Sequence, residues 1–236
     1  MINLYVMNVS PFEDSSLFSK GLSLIDEERQ NKVNMLKQES TAKLSLGAGL
    51  LLLFGLNHAS EQSEEKTEPF VAEFQAQNLV EHLTLTQNKK SFTYTYGPHG
   101  KPYIAGEKSI HFSLSHSGEY VLLAVSDREV GADIQQIKDV RFDTLAKHFM
   151  TEEEYGQWNR EPEEARKELF YQIWAGKEAY LKLTGEGMTA GFRTVYYDDA
   201  KQTMVDSRCL ENEVETIWGS VDGYQFAVCQ TAIKSD

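Results

Sequence analysis

Phe170-Tyr-Gln-Ile-Trp-Ala-Gly-Lys-Glu-Ala-Tyr-Leu-Lys-Leu-Thr-Gly-Glu-Gly187 is the stretch on which the reading of this chain turns. Apolar residues at positions 169, 170, 173, 174, 180 and 181 recur with helical spacing, so one side of this segment faces a core. Glu178 and Lys182 stand four residues apart and share a face. Taken alone they read as a solvated ion pair worth about 0.3–0.5 kcal/mol. Gly185 and Gly187 end the helix, which is expected over Glu163–Leu183.

Three segments upstream invite chemistry. In Val130-Gly-Ala-Asp-Ile-Gln135, a strand is expected over Val130–Ile134, and Asp133 lies among apolar neighbours. A buried carboxylate costs several kcal/mol unless a cation, a metal or N–H donors meet it. In Phe112-Ser-Leu-Ser-His-Ser-Gly118, Ser115 and His116 point to opposite faces of a strand. They therefore make a poor nucleophile–base pair, and no G-x-S-x-G elbow surrounds them. Closely spaced hydroxyls and an imidazole at a strand end suit phosphate better. In Tyr96-Gly-Pro-His-Gly-Lys-Pro-Tyr103, Gly97 and Gly100 allow close backbone approach and Lys101 offers a cation. The glycines are too close for a Walker P-loop, and Pro102 stands where Ser or Thr would hold magnesium.

Further out, Ile2, Leu4 and Val6 alternate as in a half-buried strand, and Asp26 can cap a helix from Glu27. A mostly helical region runs on to about Asn57, and 60–68, rich in Glu and Ser, reads as a loop. A helix is expected from Pro69 to His82, and strands near Phe92–Tyr96, Ile110–Leu114 and Tyr120–Val125. After Val130–Ile134 come helices near Phe142–Phe149 and Glu152–Asn159, then strands at Arg193–Tyr197, Glu215–Gly219 and Tyr224–Gln230. Each half thus reads strand, helices, strands, which suggests an α+β chain of two similar halves, 1–127 and 128–236.

The 236 residues suffice for one large domain or two intimate half-domains. A net charge of −13 argues against sequence-independent binding to nucleic acid. The most apolar run, Leu44 to Leu56, contains three glycines and is shorter than the roughly 20 residues a bilayer span needs, so a buried helix and no membrane partner are expected. Cys209 and Cys229 fit neither a zinc site nor a redox pair, and the N-terminus lacks a basic stretch followed by an apolar core. A cytoplasmic protein with reduced thiols is expected.

In order along the chain, Gly100-Lys-Pro102, Ser115-His-Ser117, Gly131-Ala-Asp-Ile134 and Trp174-Ala-Gly-Lys-Glu-Ala-Tyr-Leu-Lys182 resemble the motifs of 4'-phosphopantetheinyl transferases of the surfactin-synthetase-activating type. The resemblance covers roughly residues 95 to 190. It implies a pseudodimer of two α/β half-domains with coenzyme A, the substrate, and Mg²⁺ in the cleft between them. It implies transfer of the phosphopantetheine arm to a serine of an acyl or peptidyl carrier protein, with Glu178 and Lys182 catalytic. Asp133 and Glu178 look like metal ligands. Gln135 stands where many members have a third, acidic ligand, which puts weaker metal binding in view. Lys43, Lys101, Pro102, Ser115, His116, Asp133 and Lys182 look like coenzyme A contacts, with Lys43 where an arginine is usual. Arg29, Lys32 and Lys37 are further cations for the 3'-phosphate. A pseudodimer can act as a monomer, and an apolar carrier-docking patch is expected around Gly185–Ala190, centred on Met188. The competing readings are a degenerate coenzyme A binder, suggested by Gln135, and a metal-dependent phosphodiester hydrolase.

Overall fold

Asn3 is the only side chain in Ile2–Met7 that is not hydrophobic, and the computed structural model places this segment in a strand, β1 (Ile2–Asn8), buried on both faces. Alternation at Ile2, Leu4 and Val6 suggested one solvated face. Tyr5 and Met7 on the other face are equally buried, as in a strand covered on both sides. The structure describes residues 2–61, 69–86, 90–139, 142–187, 191–208 and 213–232.

After β1, Asp14 accepts the N–H groups of Ser16 and Leu17 and starts α1 (Ser15–Leu22). Asp26, with extended backbone, accepts the Arg29 N–H at 2.9 Å and starts α2 (Glu27–Met35). The next helix, α3 (Glu39–Glu61), has 23 residues and is long and apolar enough to cross a membrane by length and composition. The shorter run Leu44–Leu56 had suggested otherwise. In the fold α3 is a core helix. A Cβ at Gly47 would lie 2.6 Å from Val9 and 2.8 Å from Met7, and one at Gly55 would lie 2.6 Å from Leu123 and 3.0 Å from Tyr5. Glycine at these two positions lets the helix settle onto the sheet.

The segment expected to be helical from Pro69 is instead a strand, β2 (Phe70–Gln75), followed by α4 (Ala76–Leu85). Phe70, Ala72 and Phe74 alternate with exposed Val71, Glu73 and Gln75, which is the two-residue period of a strand. The helical period begins only at Ala76, with Leu79, Val80 and Leu83 buried. Then follow β3 (Tyr94–Tyr96), β4 (Pro102–Ile104), β5 (His111–Ser117) and β6 (Tyr120–Ser126). The remaining elements are β7 (Val130–Gln136), α5 (Phe142–Phe149), α6 (Glu152–Trp158), α7 (Glu163–Thr184), β8 (Val195–Asp198), β9 (Thr203–Asp206), β10 (Val214–Val221) and β11 (Tyr224–Thr231). Strands β4 and β9, three and four residues long, are too short to leave a periodic signal in the sequence.

The chain is mixed α/β and divides into two compact units, Met1–Thr95 with Tyr103–Asp127, and Tyr96–Pro102 with Arg128–Asp236. The first unit holds a sheet of order β2-β1-β6-β5, with β1–β2 parallel and the other pairs antiparallel. The second holds the antiparallel sheet β10-β11-β7, against which α7 packs.

The same connectivity recurs in both units: a strand, a long helix, then a hairpin whose second strand pairs antiparallel with the first strand. The registers also correspond. The hairpins close at Ser117↔Tyr120 and Val221↔Tyr224. Three residues beyond those tyrosines, Leu123 faces Tyr5 and Ala227 faces Asp133. Tyr5 therefore occupies in the first unit the place Asp133 occupies in the second. Tyr5 is hydrogen-bonded to His58 of α3 at 2.8 Å and packs edge-on against Phe54 and Phe70, so that position is aromatic core.

Candidate active site

Helix α7 begins after Pro162 with Glu163 and Glu164 in its first turn, where acidic side chains complement the helix dipole. It ends at Gly185, whose φ of 71° is the left-handed cap that glycine adopts without strain. Ala175, Ala179 and Leu183 pack in one buried cluster with Ala227 and Cys229 of β11. A Cβ on Gly131 of β7 would lie 2.1 Å from the Ala179 carbonyl oxygen and 2.2 Å from the Leu183 nitrogen. Backbone thus meets backbone at Gly131, and only glycine permits it. Two residues along the same strand face comes Asp133, and two further Gln135.

That approach delivers Lys182 to Asp133. The ammonium donates to Oδ1 at 2.6 Å, while Gln135 Nε2 donates to Oδ2 at 2.7 Å. Asp133 is buried, whereas the Lys182 side chain is one-third exposed. Lys182 is therefore engaged across the strand–helix contact, and the simple Glu178–Lys182 ion pair of the sequence gives way to a cluster. Glu178 is itself buried. Burial, reinforced by the Asp133 charge and opposed by Lys182, pushes its carboxyl up to about 7.

Lys101 and Pro102 lie in the same unit. The turn is closed by Gly97 N–H to the Lys101 carbonyl and Gly100 N–H to the Gly97 carbonyl, both at 2.9 Å, with Gly100 at φ 82°. The Lys101 ammonium donates to Glu129 Oε2 at 2.7 Å and to the Leu183 carbonyl at 2.8 Å. The other expected contacts belong to the first unit. Ser115 is buried and His116 exposed, on opposite faces of β5 as the strand period requires. Lys43 sits 2.6 Å from Glu39, one helical turn away, in a pocket of about 390 Å³ whose lining includes Glu13, Glu39 and Glu119. Arg29 lays its side chain against Gly49 of α3, while Lys32 and Lys37 are exposed. Met188, the centre of the expected docking patch, lies outside the described residues.

One feature escaped the sequence reading. Lys177, adjacent to Glu178, is wholly buried and pairs with buried Glu154 at 2.6 Å. Its other two hydrogens go to the carbonyls of Phe149 and Phe192, and Glu154 also accepts the N–H groups of Thr151 and Tyr197. A single ion pair thus ties together the end of α5, the start of α6, α7 and β8. The signal was present: position 177 falls on the stripe defined by 173, 174, 180 and 181, so the lysine stands at a core position.

Asp133, Gln135, Glu178 and Lys182 form a buried acidic pair with one cation and one amide, spaced in the sequence as Gly131-x-Asp133-Ile and Trp174-x-x-Lys-Glu-x-x-x-Lys182. The model of the 4'-phosphopantetheinyl transferase superfamily matches residues 129–229, a span containing all four. The match thus covers the part of the chain that carries the cluster. It is 35% identical to 4'-phosphopantetheinyl transferase psf-1 of Bacillus pumilus over 55% of this chain and 57% of that protein. It is 29% identical to 4'-phosphopantetheinyl transferase Sfp of Bacillus subtilis strain 168 over 60% and 64%. It is 26% identical to 4'-phosphopantetheinyl transferase gsp of Aneurinibacillus migulanus over 72% and 77%. The chain thus spans little more than half the length of psf-1 and just under two thirds of Sfp.

Among the described residues, no three His, Cys, Asp or Glu side chains gather as a metal site. The cluster supplies two carboxylates and one amide, an all-oxygen donor set once the Gln135 amide turns its carbonyl inward. Magnesium commonly takes one or two carboxylates and completes its shell with water and substrate phosphates. A second positive charge would also relieve the repulsion that helps hold Glu178 protonated. In both respects the residues fit the ion.

Proposed function

We propose that this protein transfers the 4'-phosphopantetheine group of coenzyme A to a serine of an apo carrier protein and releases 3',5'-ADP, with Mg²⁺ as the metal. The observation that carries the reading is the grouping of buried Asp133 and Glu178 with Lys182 within the span that matches the superfamily. The names of psf-1, Sfp and gsp point the same way.

The carrier serine oxygen attacks the β-phosphorus of coenzyme A, and the bond to the bridging oxygen of the 3',5'-ADP breaks. Glu178, or a water held beside it, accepts the serine proton. Lys182 sets its charge against the departing phosphate. Asp133, Gln135 and Glu178 would hold Mg²⁺, which supplies charge compensation on the diphosphate when bound. Positioning and electrostatics carry most of the rate in such transfers. Ser115, His116, Lys43 and the Lys101–Pro102 turn would serve the nucleotide end.

The matching strand–helix–hairpin connectivity supports two similar half-domains, 1–127 and 128–236. The protein would act as a cytoplasmic monomer. In that arrangement Tyr5, the counterpart of Asp133, puts an aromatic side chain where the second unit has an acidic one. The test is intact-mass analysis of a panel of apo carrier domains incubated with the protein and coenzyme A, with and without Mg²⁺. Mass gain of one phosphopantetheine group that requires Mg²⁺ is expected. Absence of any adduct, or release of 3',5'-ADP without an acceptor, would refute the reading, the latter in favour of a hydrolase.

A further inference from the structure

Lys101 offers an ammonium in the turn expected to meet the nucleotide, yet the structure directs that ammonium away from solvent. Its side chain is only 11% exposed. It reaches Glu129, just ahead of β7, and the Leu183 carbonyl in the last turn of α7. Leu183 is one of the four terminal helix residues whose carbonyls have no partner within the helix. A cation there satisfies the oxygen and complements the negative end of the helix dipole. A second contact runs parallel to the first: a Cβ on Gly187, beyond the end of α7, would lie 4.0 Å from the His99 Cβ of the turn. The turn thus comes near the exit of α7 at Lys101 and at His99.

We propose that Lys101 is a positioning residue, a strut that fixes the Gly97–Lys101 turn to the C-terminal end of α7 through Glu129 and Leu183, and that its ammonium does not bind the phosphates of coenzyme A. The turn then meets its ligand through backbone and Pro102, and Lys101 acts through the placement of that turn and of Lys182, one residue before Leu183. The inference rests on the transferase reading above and revises one ligand contact that reading would otherwise contain.

The experiment compares Lys101→Met and Glu129→Gln with the wild type, using coenzyme A and 3'-dephospho-coenzyme A as alternative donors, with kcat and KM measured for each. A strut predicts that both variants lose activity, by about tenfold for Lys101→Met, and that the preference between the two donors stays as in the wild type. It also predicts that the double variant is no worse than Lys101→Met, since both changes sever one connection. A phosphate-binding ammonium predicts a Lys101→Met variant that discriminates poorly between the donors, beside a Glu129→Gln variant with normal or improved KM. That pattern would overturn the proposal. Should Lys101→Met fail to fold, Glu129→Met, which leaves the ammonium no side-chain acceptor, decides alone: reduced activity with unaltered donor preference supports the strut, and wild-type kinetics refute it. Wild-type turnover in the same assay separates failure of the strut from failure of the transferase reading.

Discussion

Replacing Gly131 by alanine adds one methyl group where the structure has no room for it. The new Cβ would lie 2.1 Å from the Ala179 oxygen, 2.2 Å from the Leu183 nitrogen and 2.8 Å from the Leu183 Cα. Carbon–oxygen contacts across packed backbones settle near about 3.3 Å, so α7 must retreat from β7 by roughly 1 Å. All the obstructing atoms are backbone, and no side chain can rotate aside to absorb the change. Overpacking of this kind costs about 1–3 kcal/mol. The same retreat carries Glu178 and Lys182 away from Asp133 and breaks the 2.6 Å contact. Misplacement of catalytic groups by about 1 Å lowers rates by about 100-fold. The expected result is a Gly131→Ala variant with a Tm reduced by several degrees and kcat/KM for the proposed phosphopantetheine transfer down about 100-fold. A variant with unchanged Tm and kinetics would refute the close-approach argument. One that lost stability but kept full kcat would show that the backbone contact supports packing without aiming the site.

Glu178→Gln and Lys182→Ala should each slow transfer at least about tenfold, a loss of about 1.4 kcal/mol in transition-state stabilisation; near wild-type steady-state rates in both would defeat the assignment. Glu178 also makes stability depend on pH. Its carboxyl ordinarily titrates at 4.5 and does so at about 7 in the fold, so between these values the native protein holds a proton that the unfolded chain releases. Its contribution is fully present below about pH 4.5 and is lost as pH rises through 7, amounting to about 3 kcal/mol. Urea denaturation of metal-free protein should show this decline in the wild type relative to Glu178→Gln, and parallel pH profiles for the two would contradict it. Lys177→Met leaves buried Glu154 without its cation and should cost about 3–5 kcal/mol, whereas replacing both partners by apolar residues should cost less; equal losses by thermal denaturation would speak against the pair.

Much of the site could be read from the sequence because its parts are local. Asp133 stood out as a carboxylate among apolar residues of a strand, and Glu178 and Lys182 as neighbours on one helical face. The interactions that join these segments are tertiary and left little trace. No local pattern reveals that Gly131 touches α7, or that Lys101 reaches Glu129 and Leu183. In the fold, β2 shows only three alternating apolar positions before the helical period of α4 begins, too short a run to mark off a strand from the helix that follows it directly. The aromatic cluster around Tyr5 and His58 was invisible as a counterpart of the acidic site, since the correspondence lies in strand register and not in residue type.

The most direct measurement is the binding of Mn²⁺, as a stand-in for Mg²⁺, followed by electron paramagnetic resonance in the presence of coenzyme A. One ion per chain should bind to the wild type, with affinity falling at least tenfold in Asp133→Asn and in Glu178→Gln and rising in Gln135→Glu. Undiminished binding in both carboxylate variants would show that these two side chains do not share a cation.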